Sequence, residues 1–155
     1  MSDVDLTVEF DATPEQLFQV LLDIKRTPEW VTICRKVISV DPGKPKVGWR
    51  CQQLYALRGA PFTVSWELTE LEPGKLLHWR GQGPARSTAE IIQELTPVGD
   101  SATRLRYVND FIAPGGMLGR FASRTLVGSA PEHEAKKSLD RLASLLHSTA
   151  KPAKG

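Results

Sequence analysis

Hydrophobic and polar residues alternate at the start of the chain. Val4, Leu6, Val8 and Phe10 are separated by Asp5, Thr7 and Glu9, with Asp3 ahead of them. A period of two puts each set on its own face of an extended backbone, so residues 3–10 predict a half-buried strand. The period then lengthens. Thr13 can accept the free N–H groups of a helix start, Pro14 suits the first helical position, and Gln16 completes a capping box. Leu17, Val20, Leu21 and Ile24 follow at helical spacing. A second start signal, Thr27-Pro28-Glu29, opens a short helix that carries Trp30.

Strand-like runs return over 33–41, 47–56, 61–72, 75–82, 87–97 and 101–113. Pro42-Gly43, Gly59-Ala60-Pro61, Pro73-Gly74, Gly83-Pro84 and Gly99-Asp100 separate them as turns. So little chain between neighbours allows hairpins and no crossovers, which predicts an antiparallel sheet. From Met117 to Leu146 the pattern is helical again, with Leu118, Phe121, Leu126, Leu139, Leu142 and Leu146 on one face. Pro131 interrupts it, because proline lacks the N–H and clashes with the preceding turn. Ser129-Ala130-Pro131-Glu132 is itself a capping box, so the helix is kinked there or restarts there, and a restart is favoured.

Alternation also assigns faces. Val64, Trp66 and Leu68 are expected inside, as are Leu77, Trp79 and Gly81, and then Ala89, Ile91, Gln93 and Leu95. Leu105, Tyr107, Asn109 and Phe111 follow on the last strand, and Trp49, Cys51, Gln53 and Tyr55 on the third. The lining predicted this way is aromatic, with a few neutral polar groups and no inward carboxylate, lysine or histidine. Proton transfer needs a titratable group within reach of the reacting atom, and Tyr107, Tyr55 and Cys51 are the inward candidates. A charged ligand would find no counter-charge there, and an unpaired buried charge is very costly. A neutral, largely apolar ligand fits best. Gln93, expected nearer the sheet's edge, is a weaker polar contact than Asn109.

Composition and charge narrow the picture without changing it. A chain of 155 residues suits one domain, expected over 1–148 with a flexible tail at 149–155. Twenty basic against 18 acidic residues give a net charge of +2, which offers no electrostatic case for nucleic acid. The acidic amino terminus is not a secretory signal, and no apolar run is long enough to cross a bilayer, so a cytoplasmic location is expected. Cys34 and Cys51 lack zinc or disulfide spacing and read as reduced, packed thiols; the three histidines are scattered, so no metal is expected. Pro131-Glu132-His133-Glu134 reads as a solvated first helical turn. Gly81-Gln82-Gly83 lacks the third glycine of a dinucleotide fingerprint, and Gly115-Gly116 lacks the lysine of a phosphate loop, so no cofactor is expected.

The stretch from Ala12-Thr13-Pro14-Glu15-Gln16-Leu17-Phe18 to Arg26-Thr27-Pro28-Glu29-Trp30 resembles the opening of the polyketide cyclase/dehydrase and START-like (SRPBCC) superfamily. Val47-Gly48, Ala102-Thr103-Arg104-Leu105 and Gly115-Gly116-Met117-Leu118-Gly119-Arg120 are similar to it as well. The resemblance implies an α+β helix-grip fold. In that fold a seven-stranded curved antiparallel sheet, joined by two short helices, grips a long C-terminal helix around a cavity. Its members include lipid and sterol carriers, quinone-binding proteins, aromatase/cyclases and plant hormone receptors, so the fold does not choose a function.

Three readings follow. The first is binding or carriage of a hydrophobic, neutral small molecule (lipid, isoprenoid, quinone or polyketide-like). It would contact Trp30, Trp66, Trp79, Ile91, Gln93, Tyr107, Asn109, Phe111, Leu118 and Phe121, with Met117 to Val127 as a movable gate. The second is an aromatase/cyclase or dehydrase using Tyr107, Asn109 and Gln53. The third is a protein-interaction domain whose cavity is filled by its own side chains.

Overall fold

The computed structural model of the protein describes residues 4–57, 59–112 and 130–150. Seven strands are joined in one antiparallel sheet: β1 (Val4–Phe10), β2 (Cys34–Val40), β3 (Arg50–Leu57), β4 (Ala60–Glu72), β5 (Leu76–Gln82), β6 (Thr88–Val98) and β7 (Ala102–Ile112). Their order is β1-β7-β6-β5-β4-β3-β2. The last six form a meander of hairpins, as the short turns predict, and β1 closes the sheet against β7 with Val4 opposite Asn109. Gly74 turns β4 into β5 at φ +72, a left-handed backbone that a side chain resists. Register shifts interrupt β2 between Cys34 and Lys36 and again between Val37 and Ser39, and β4 between Leu68 and Glu70. Such irregularities bend strands, which lets the sheet curl around what lies inside it.

Helix α1 (Pro14–Leu22) begins as its sequence predicts. Gln16 N–H donates to Thr13 Oγ1 at 3.2 Å, and Thr13 N–H donates to Gln16 Oε1 at 2.9 Å. A 3-10 turn, Ile24–Arg26, leads into the short α2 (Thr27–Trp30). The last described helix, α3 (Ala130–Ala150), has Pro131 in its first turn, where the missing N–H costs nothing. Residues 113–129, where the rest of the long helix and the gate were expected, lie outside the described residues, and Leu118 and Phe121 with them.

The core lies on the concave side of the sheet. Leu68, Leu77, Leu105 and Leu142 are fully buried there, and Ala135, Leu139 and Leu146 extend the α3 stripe. Thr103 ties β7 to the entry of α1 by donating from Oγ1 to the Ala12 carbonyl at 2.8 Å. The outer face is charged, as alternation predicts: Arg106 pairs with Asp5 at 2.8 Å, Arg80 with Glu90 at 3.2 Å and Arg104 with Glu9 at 3.3 Å. No described helix is long and apolar enough to cross a membrane.

Candidate functional site

A cavity of about 880 Å³ lies between the concave face of the sheet, α1, α2 and α3. Its walls follow from strand parity. Trp66 and Trp79 project from β4 and β5, and Ile91 and Gln93 from β6. Tyr107, Asn109 and Phe111 project from β7, Gln53 and Tyr55 from β3, and Trp30 closes the space from α2. The structure therefore brings all the described ligand and catalytic candidates to one cavity. Tyr107 and Trp30 meet edge to face, with ring centroids 6.4 Å apart. Phe111 lies at the rim, 38 % exposed, and Asn109 is half-buried. Gln93 belongs on an interior strand rather than near an edge, since β6 pairs on both sides, and it is buried.

Polar chemistry in the cavity is sparse and partly unsatisfied. Trp66 Nε1 donates to Tyr55 Oη at 2.8 Å, and Tyr55 Oη in turn donates to Gln53 Oε1. Gln93 Oε1 is buried with no hydrogen-bond partner among the described residues. Buried polar groups are nearly always satisfied, so an orphan facing a cavity marks a place where a ligand or water belongs. Burial pushes the Tyr107 phenol up to about 12 and raises that of Tyr55 well above its ordinary value. Near neutrality both are protonated hydroxyls that can donate a proton in a hydrogen bond and cannot act as bases.

The expectation of a cavity without carboxylates needs correction. Glu132 and Glu134 of α3 both contribute to its wall. Sheet parity covers only the sheet side, and the first turn of α3 lies at the cavity's edge, with Glu132 and His133 exposed to water and Glu134 half-buried. Glu134 accepts from Thr32 Oγ1 at 2.5 Å, and Ser138 Oγ accepts from the Thr32 backbone N–H at 3.0 Å. These two bonds latch the loop after α2 onto α3. Glu132 pairs with Lys136 one turn on, at 3.5 Å. Sequence reasoning missed the latch because Thr32 and Ser138 are far apart along the chain and neither sits in a motif. Ser138→Ala is expected to cost about 1 kcal/mol, the low end of the penalty for stranding a donor, because the Thr32 N–H is only half-buried. Urea unfolding would measure that loss, and hydrogen exchange at the Thr32 amide should accelerate.

Cys34 and Cys51 are free, buried thiols on the neighbouring strands β2 and β3, and desolvation pushes each up to about 12. An unfolded cysteine ionises near about 8.5. Below that value both states hold the proton and stability is constant. Above it the unfolded chain loses protons first, so stability falls as pH rises towards 12. A Cys34→Ala/Cys51→Ala double variant should show a shallower alkaline decline in thermal-melt midpoints than the parent. No group of three or more metal-ligating side chains is present among the described residues.

A curved sheet wrapped on helices around an interior cavity defines a helix-grip protein. The chain belongs to the polyketide cyclase / dehydrase and lipid transport family, which it matches over residues 1–147. Among solved structures it is similar to the ZhuI aromatase/cyclase of a Streptomyces species, with a TM-score of 0.79 at 16% identity, over 98% of this chain and 97% of that one. A conserved protein from Geobacillus kaustophilus superposes with a TM-score of 0.69 at 18% identity, over 94% and 95% of the two chains. A protein of the dynemicin biosynthetic locus gives a TM-score of 0.65 at 16% identity, over 94% of this chain and 47% of its own. At these identities the likeness is one of fold. None of the curated proteins matches the sequence.

Proposed function

We propose that the protein binds a neutral, largely apolar, polyketide-like small molecule between its sheet and C-terminal helix. The observation that carries this reading is the cavity itself. It is roomy, walled by Trp30, Trp66, Trp79 and Tyr107, and furnished with uncharged hydrogen-bonding groups on its sheet side. A volume of about 880 Å³ suits a multi-ring or long-chain molecule, and apolar walls with a few polar groups are the usual make-up of a ligand pocket. The same space argues against an interaction domain with a filled interior.

Native mass spectrometry of freshly purified protein and titration with a fluorescent fatty acid test the reading. A co-purifying small molecule, or saturable tryptophan quenching, is the expected result. Absence of both would overturn it.

A second reading, an aromatase/cyclase, is supported by the family and by the fold shared with ZhuI. Tyr107 would then act as a hydrogen-bond donor to a substrate oxygen, since burial holds it protonated. Asn109 and Gln53 would orient the chain, and catalysis would rest on holding one reactive conformation. Turnover of a reduced polyketide mimic by the parent, and its loss in Tyr107→Phe and Asn109→Ala, would favour this reading. Equal rates would remove both residues from the mechanism.

A further inference from the structure

We propose that Gln53 is a one-way hydrogen-bond donor to the bound molecule, its amide orientation held by Trp66 and Tyr55, so that this wall selects a ketone or quinone oxygen. The proposal rests on the binding reading above and specifies what that ligand must present.

An indole N–H can only donate, so at 2.8 Å Trp66 Nε1 makes Tyr55 Oη an acceptor. Tyr55 is itself buried and protonated, and its hydrogen needs an acceptor. Among the described residues Gln53 Oε1 is that acceptor. The opposite amide rotamer would place NH2 against a hydroxyl already receiving a proton, and would leave the tyrosine hydrogen unpaired in a buried site. The carboxamide oxygen therefore points to Tyr55, and the NH2 end is the free one. Gln53 is only 3% exposed and lines the cavity, and its Nε2 has no hydrogen bond among the described residues. Gln93 has no such relay behind it among the described residues, so its orientation is not fixed in this way.

Gly81 sets the first link. It pairs with Trp66 across β4 and β5, and a Cβ at this position would lie 2.7 Å from both Trp66 Cε3 and Cζ3. The bare backbone is what lets the indole occupy this place, with its ring edge to face against Tyr55 at 84°. Gly81, Trp66 and Tyr55 are thus positioning residues for Gln53.

Fluorenone and fluorene make the test, because they share a ring system and differ in one carbonyl oxygen. Both are titrated into the parent protein and into Gln53→Leu and Tyr55→Phe, following tryptophan fluorescence. The ratio of fluorenone to fluorene affinity should fall about fivefold in Gln53→Leu, the worth of one hydrogen bond. Fluorene reports whatever else the substitution does to the cavity, and the ratio corrects for it. Tyr55→Phe, which frees the amide to turn, should lower the ratio as well. The infrared carbonyl stretch of fluorenone bound to the parent should lie below its value in hexane, a readout that needs no variant. A parent ratio that survives Gln53→Leu, or a carbonyl stretch at the hexane value, overturns the proposal while leaving binding intact. If neither probe saturates the parent, the binding reading fails and this subsite fails with it.

Discussion

Leu142→Ala should lower the unfolding free energy by about 2–5 kcal/mol, the range for emptying a leucine site in a packed core. Leu142 is fully buried at the middle of the stripe formed by Ala135, Leu139 and Leu146. That stripe holds α3 against the sheet. A helix of this length gains most of its stability from packing an apolar face rather than from its own hydrogen bonds. Removing three carbon atoms' worth of contact at its centre therefore weakens the helix and its docking together. Urea titration followed by tryptophan fluorescence would give the loss as a lower midpoint at an unchanged slope. Lys137→Ala, on the exposed side of the same helix, should shift stability by no more than about 0.5 kcal/mol. Equal effects from the two would mean that α3 is not docked by this stripe.

Gly81→Ala is the second change with a large expected effect, and it adds a methyl group rather than removing one. The new Cβ would meet Val64 Cγ1 as well as the indole of Trp66, each at 2.7 Å. Real Cβ atoms do not approach this closely, so one of these buried β4 side chains must shift towards the cavity that both of them line. Overpacking of this kind costs about 1–3 kcal/mol. It also moves Trp66 away from Tyr55, so a cavity ligand should bind about tenfold more weakly even where the variant folds. Fluorescence titration and thermal melting read the two losses separately. Unchanged affinity would mean that the indole position is not set by Gly81.

Much of this molecule was legible before any coordinates. The strand from Val4 to Phe10, the capped helix after Thr13 and the six later strands all rest on local rules of period, capping and turn chemistry. Those rules act over a few residues, so they survive folding unchanged. Parity did the same for the cavity wall, because a side chain on a paired strand can point only to one face or the other. It placed Trp66, Trp79, Gln93 and Tyr107 on the inner face from alternation alone.

The carboxylates at the cavity mouth were not legible in that way. Glu132 and Glu134 sit in a first helical turn, where acids are ordinary and water is the default neighbour. Only the angle at which α3 meets the sheet turns that end towards the interior. Which polar groups inside would satisfy one another was equally hidden. Gln53, Tyr55 and Trp66 carry no shared motif, and their relay depends on the β3–β4 register and on the space above Gly81.

The sequence by itself determined an antiparallel sheet with an aromatic inner face, since period and turns act locally, and its resemblance to a known family implied the helix grip. Tertiary structure decided what that face can do. It joined Gln53, Tyr55 and Trp66 in one relay at the cavity wall and left Gln93 Oε1 without a partner among the described residues, because hydrogen-bond direction is set by neighbours that the chain brings together only on folding.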